Sequence, residues 1–158
     1  MRYLNKIVFI NSAAIRYSEV QLDGNIHLIG TQGVGKSTIL RAILFFYNAD
    51  TQRLGIPVEK KSYQDYYFPY ADSSIIYEVA REDGWFTVLS YKTMNRICYR
   101  FIASPYRPDL FIDEEGAPYP SDRIRSVLDK NGIKYSGAIS TYEEYRNILY
   151  GNSDNKRD

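Results

Sequence analysis

A chain of 158 residues, 44% hydrophobic and 25% charged, is long enough to bury one core and fits a single soluble globular domain. Its net charge of +1, with both signs interspersed, neither demands nor excludes a nucleic-acid partner. No apolar run approaches a membrane span or a secretory core, and a solitary Cys98 excludes an internal disulfide, so a cytoplasmic protein without membrane contact is expected.

In chain order, residues 6–11 read as a strand, and residues 18–22 alternate polar and apolar side chains as a half-buried strand does. The turn residues Asp23, Gly24 and Asn25 introduce a third strand at Ile26, His27, Leu28 and Ile29. His27 is the one histidine, and inside a strand it reads as a packed core residue. That strand runs into Gly30, Thr31, Gln32, Gly33, Val34, Gly35, Lys36 and Ser37, an uninterrupted G-x-x-x-x-G-K-[ST] phosphate loop with Thr38 following. Ile39, Leu40, Ile43, Leu44 and Phe46 recur at helical spacing, which predicts a helix over residues 36–47.

Strand, loop and helix in this order are what polyphosphate binding needs. Glycines at 30, 33 and 35 allow positive φ and close approach, so that successive N–H groups line one concavity at the positive end of a helix. Lys36 then reaches the β- and γ-phosphate oxygens, and the Ser37 hydroxyl ligates Mg2+.

Residues 48–72 are polar and aromatic without a period, and a stretch of this kind reads as irregular and functional or mobile. Residues 74–80 and 85–91, joined through Asp83-Gly84, predict a hairpin. Residues 96–103 read as a further strand and 110–112 as a fourth of this group. Ser121 is expected to cap a helix that buries Ile124, Val127 and Leu128 and stops at Asn131-Gly132. Thr141 and Glu144 form a capping box for a last helix with Tyr145, Ile148 and Leu149 as its apolar stripe and Gly151 as its stop. The polar tail, residues 152–158, is expected to be poorly ordered. Tyrosine is abundant, 16 copies against 7 Phe and 1 Trp, and reads as rings half-buried on a sheet with wet hydroxyls.

This order, three strands, a loop helix, an antiparallel group and two helices, is not the alternating βαβα run of a doubly wound kinase or small GTPase. It predicts an α/β P-loop NTPase of ABC-ATPase type: an N-terminal lobe, residues 1–151, with a mixed or antiparallel sheet packed around the loop helix and two C-terminal helices. With the phosphate loop, the segment Ile15-Arg16-Tyr17-Ser18, the strand around Ser74 to Val79, the run Leu128-Asp129-Lys130-Asn131-Gly132-Ile133 and the ending Tyr145 to Gly151, the chain resembles the N-terminal half of SMC-like ATPase heads of the MukB and JetC type. Only the phosphate loop is specific among these features.

The resemblance implies ATP and Mg2+ as cofactors and a divided active site. The signature motif and the Walker B carboxylates of such proteins lie in a C-terminal half, and this sequence has no Leu-Ser-Gly-Gly run. The implied partners are that C-terminal half, a second head in a homodimer, DNA and accessory subunits, with hydrolysis only in the completed assembly. Arg16 and Tyr17 are candidates for the base or ribose, through stacking and cation–π contact. Arg41, Arg53, Lys60 and Lys61 are candidates for DNA or the partner head, as surface charge generally is. No glutamine follows Gln64, so Ser140 or Thr141, or less readily Gln52 or Gln64, would take the magnesium-sensing place.

One alternative stays open. Leu110, Phe111 and Ile112 followed by Asp113-Glu114 mimic a Walker B strand, which would make the chain a self-contained small kinase or hydrolase. The adjoining Pro108, Asp109 and Glu115-Gly116 fit a hairpin turn better. A regulatory module that holds ATP without turning it over is the third reading.

Overall fold

The computed structural model describes residues 2–22, 35–47, 63–94 and 96–150. Among them five strands form one sheet: β1 (Arg2–Ser12), β2 (Ile15–Gln21), β3 (Ser74–Arg81), β4 (Gly84–Thr93) and β5 (Arg96–Ile102), in the order β2-β1-β3-β4-β5. Every pairing is antiparallel. The described sheet is therefore antiparallel throughout rather than mixed. The expected loop strand at residues 26–29, the segment 48–62 and the tail 151–158 lie outside the described residues.

Among the described residues four α-helices accompany the sheet: α1 (Lys36–Phe46), α2 (Tyr63–Tyr67), α3 (Ser121–Lys130) and α4 (Tyr142–Leu149). Strand alternation sends Ile7, Phe9, Ile75, Tyr77, Val79, Val88 and Tyr99 to one face, where they pack with Ile39, Ala42 and Phe45 of α1, Tyr63 and Tyr67 of α2, and Tyr145 and Leu149 of α4. Val8, Ile10, Ile76, Leu89 and Ile102 point to the other face and meet Tyr106, Leu110, Phe111 and, from α3, Ile124 and Leu128. The result is a three-layer α/β lobe.

The turns follow local chemistry. Arg81 pairs with Gly84, leaving Glu82-Asp83 as a two-residue hairpin loop, and Gly84 supplies a φ of +139. The β1–β2 reversal is less ordinary: Ser12 pairs with Ile15, and Ala13 and Ala14 between them take φ of +50 and +64. A primed turn needs that backbone but favours Asn and Gly, and alanine there costs about 1 kcal/mol per residue. Hydrogen bonds from the neighbouring segment steady it: Asn11 Nδ2 donates to Asp72 Oδ1 at 3.1 Å and Ser73 Oγ to the Asn11 carbonyl.

Several expectations are corrected. Strand β2 starts at Ile15, so Arg16 and Tyr17 stand within it. Residues 63–67 form a helical turn inside the segment expected to lack regular structure. Residues 110–112 are not a strand: Pro108–Leu110 is a 3-10 turn, which the fixed φ of Pro108 favours, with Phe111 N–H donating to the Pro108 carbonyl at 2.9 Å. Ser121 is the first helical residue of α3 and Pro120 its N-cap, with no side-chain cap bond. Finally, the largest fully buried side chains include Tyr67, Tyr77, Tyr99 and Tyr145, so these rings are core residues and not half-wet surface ones.

The end of α3 explains the run from Leu128 to Ile133. Gly132, at φ +69, donates to the Asp129 carbonyl at 3.1 Å, and Ile133 N–H donates to the Leu128 carbonyl at 3.0 Å. This is a Schellman motif, with Ile133 packed against the cluster that holds Leu128. The shared pattern is helix-stop chemistry. Beyond it, residues 134–139 cover the outer edge of β5: Tyr99 and Ile139 exchange two 2.8 Å bonds, and Ser136 N–H donates to the Phe101 carbonyl.

Candidate nucleotide site

The described part of the phosphate motif is Gly35, Lys36, Ser37 and Thr38; Gly30, Thr31, Gln32, Gly33 and Val34 lie outside the described residues. Gly35 is the N-cap of α1 at φ −67 and ψ 149, with no side chain to cap the helix. This is ordinary extended backbone, so the positive φ expected of Gly35 is not used. Among the described residues a Cβ there would meet Thr38 Oγ1, at an ordinary 3.9 Å.

Lys36 and Ser37 are exposed on the first turn of α1, and Thr38 is buried beneath them. That first turn carries no acidic residue, so no carboxylate of its own offsets the helix's positive end. An ammonium, a hydroxyl and first-turn amides thus share one end of a helix whose other side is locked into the core. Such an end binds anions.

Helix α1 is held by more than apolar packing. Tyr67 donates to the Thr38 carbonyl at 2.8 Å, Tyr77 to the Ala42 carbonyl at 3.0 Å and Tyr145 to the Phe46 carbonyl at 2.6 Å. The acceptors are four residues apart, on one line along the helix: the Thr38 and Ala42 carbonyls offer a second lone pair beyond their helical bonds, and Phe46, the last residue of α1, offers a carbonyl that the helix itself leaves without a donor. Burial pushes the Tyr67 phenol well above its ordinary range, which keeps it a protonated donor, while the nearby Arg41 guanidinium acts the other way. Arg41, a candidate for DNA, stands beside this hydroxyl of its own lobe. Sequence reading missed the three tyrosines as helix ligands; their abundance was the signal.

Other candidates fall elsewhere. Tyr17 pairs with Ile10 and shares its face, opposite the one that carries α1. Its hydroxyl donates to Glu19 Oε2 at 2.7 Å and meets the Tyr106 hydroxyl at 2.8 Å. Burial and the Glu19 bond push its phenol up to about 12. Tyr17 is therefore not brought to the loop helix. With Arg16 it lines an open groove of about 1340 Å3 that also presents Tyr70, Tyr91, Phe111 and Tyr119.

Asp113 Oδ1 accepts the N–H groups of Glu115 and Ala117, both at 2.9 Å, and Ile112 bridges Pro118. The Asp113-Glu114 pair thus sits in a tight reversal and not at a strand end. Thr141 Oγ1 accepts Glu144 N–H as the cap of α4, and Ser140 Oγ accepts from Arg96 at 3.4 Å, so each hydroxyl weighed for magnesium sensing has one protein partner and keeps a lone pair. Gln64 is half-buried in α2, while His27, Gln52, Arg53, Lys60 and Lys61 lie outside the described residues. Among the described residues no helix is long and apolar enough to cross a membrane.

Fold and site define an α/β protein in which an antiparallel sheet carries, on one face, a helix opened by Gly35-Lys36-Ser37. The chain belongs to the family described as "Protein of unknown function (DUF3584)", whose model matches residues 11–157. No curated protein and no solved structure matches it.

Proposed function

We propose that this chain is the nucleotide-binding lobe of a P-loop ATPase of the SMC-like kind, in which ATP binding and head engagement drive DNA organisation, repair or defence. The observation that carries the reading is the unbroken phosphate loop from Gly30 to Ser37 opening into α1 at Lys36. Lys36 would neutralise the β- and γ-phosphates, Ser37 would take one position on Mg2+, and the first-turn amides would hold the remaining oxygens.

The partners belong to the same proposal. Leu40, Leu44 and Tyr47, at spacing i, i+4, i+7, are 39%, 47% and 46% exposed, so α1 is apolar on the side away from the sheet as well. A helix apolar on both sides suits a layer that is covered on both. This supports a lobe covered by a further apolar surface, which we assign to a C-terminal half that would bring the missing carboxylates; the second head and DNA rest on the resemblance alone. The reversal at Asp113-Glu114 argues against a self-contained hydrolase.

The test is calorimetric titration with Mg-ATP. Lys36→Ala should abolish binding while far-UV circular dichroism stays unchanged; undiminished affinity would refute the site. The unaltered 158-residue chain should hydrolyse ATP barely above background, and a turnover of about one per second, ordinary for an intact enzyme, would overturn the divided-site model. A preference for ATP would rest on the absence of a guanine-reading Asn-Lys-x-Asp pattern, but Asn155-Lys156-Arg157-Asp158 spells it, so ATP is assigned from the resemblance alone and GTP is titrated alongside to decide the base.

A further inference from the structure

We propose that Tyr67 is a positioning residue for the phosphate-binding turn, its hydroxyl holding the Thr38 carbonyl so that nucleotide at Lys36 and Ser37 and the α2 segment behave as one unit. This rests on the nucleotide reading above.

The three tyrosine bonds along α1 come from three different elements: Tyr67 from α2, Tyr77 from β3 and Tyr145 from α4. The middle and C-terminal bonds tie the helix to a central strand and to a packed helix. Only the N-terminal bond reaches the turn that carries Lys36 and Ser37. There α2 touches Thr38 twice, through the Tyr67 hydroxyl on its carbonyl and through the Tyr66 hydroxyl, 3.4 Å from its Oγ1.

Segment α2 is only five residues long and is fixed by side chains. Tyr63 stacks on Phe45 at 4.4 Å and meets Tyr67 at a tilt at 4.3 Å, and Tyr66 meets Tyr67 edge-on at 4.8 Å. Asp65 adds a 4.0 Å ion pair to Lys92 of β4. The Tyr67 bond couples this element to Thr38, so a ligand that steadies the turn steadies α2 in return by linkage.

Two isosteric variants separate positioning from mere stability. Tyr67→Phe and Tyr145→Phe each remove one buried hydroxyl bonded to an α1 carbonyl, at opposite ends of the helix, and should lower the unfolding midpoint comparably. Tyr67→Phe should also weaken Mg-ATP binding by roughly five-fold, the worth of one hydrogen bond, whereas Tyr145→Phe should leave it within about two-fold. Hydrogen exchange at residues 63–68 should slow when Mg-ATP is added to the unaltered chain. Equal affinities for Tyr67→Phe and the unaltered chain would overturn the proposal, as would equal losses in the two variants. If the unaltered chain itself fails to bind Mg-ATP, it is the nucleotide reading that falls.

Discussion

The two faces of the sheet solve the same packing problem differently. On the α1 face the contacts are aromatic: Tyr99 stacks on Tyr145 at 4.1 Å and Phe45 on Tyr63, and buried hydroxyls end on helix carbonyls. On the α3 face the core is mainly aliphatic, and α3 is placed by its Schellman stop and by the 103–120 connection. Charge appears on that face: Glu78, buried, accepts from Asn5 Nδ2 and Tyr106 N–H, both at 2.8 Å, and buried Arg100 donates to the Ser136 carbonyl beneath the Tyr135 ring. Aliphatic packing is non-directional and tolerates small slides. Hydroxyl-to-carbonyl bonds are directional and fix a helix in rotation and register. The face that carries Lys36 and Ser37 is the one so fixed.

Mutations can break this comparison. Tyr145→Ala, which empties a stacked site and removes a helix bond, should cost about 4 kcal/mol, and Leu128→Ala on the other face about 3 kcal/mol. Urea unfolding measures both, and the reverse order would show that the aromatic face is not the more tightly determined one. Gly132→Ala should cost about 1 kcal/mol through its positive φ alone, since open space surrounds the position; a loss as large as that of Leu128→Ala would mean that the stop does more than end α3.

The smallest effect is in pH. Tyr63, Tyr67, Tyr17 and Tyr106 all have phenols raised above their ordinary value, burial being the first cause in each. A group whose folded pKa is raised contributes fully below its unfolded value, near pH 10, and loses that contribution as pH climbs through the folded value. Stability should hold to about pH 10 and then decline, for Tyr17 between about 10 and about 12. Tyr17→Phe and Tyr67→Phe should each make the decline between about pH 10 and 11 shallower, and by similar amounts, since both folded phenols stay protonated there. Denaturant midpoints at pH 8 and pH 11 decide it.

Much of this was legible in the residues themselves. The β3–β4 hairpin follows from alternation around Glu82-Asp83-Gly84, the α4 cap from Thr141 and Glu144, the α3 stop from Asn131-Gly132, and α1 from its spacing behind the phosphate motif. These are contacts between near neighbours, so sequence proximity carries them. The three apolar residues at 110–112 misled, because so short a run cannot separate a strand from the turn that Pro108 imposes.

By itself the sequence determined the local elements and the chemistry gathered at Gly35, Lys36 and Ser37. Only the tertiary structure decided which face each element covers: that Tyr17 turns away from α1, and that Tyr67, Tyr77 and Tyr145 converge on its carbonyls from 29, 35 and 99 residues away. A hydroxyl carries no mark in the sequence of the carbonyl it will meet. That pairing exists only once alternation, burial and helix docking have been satisfied together.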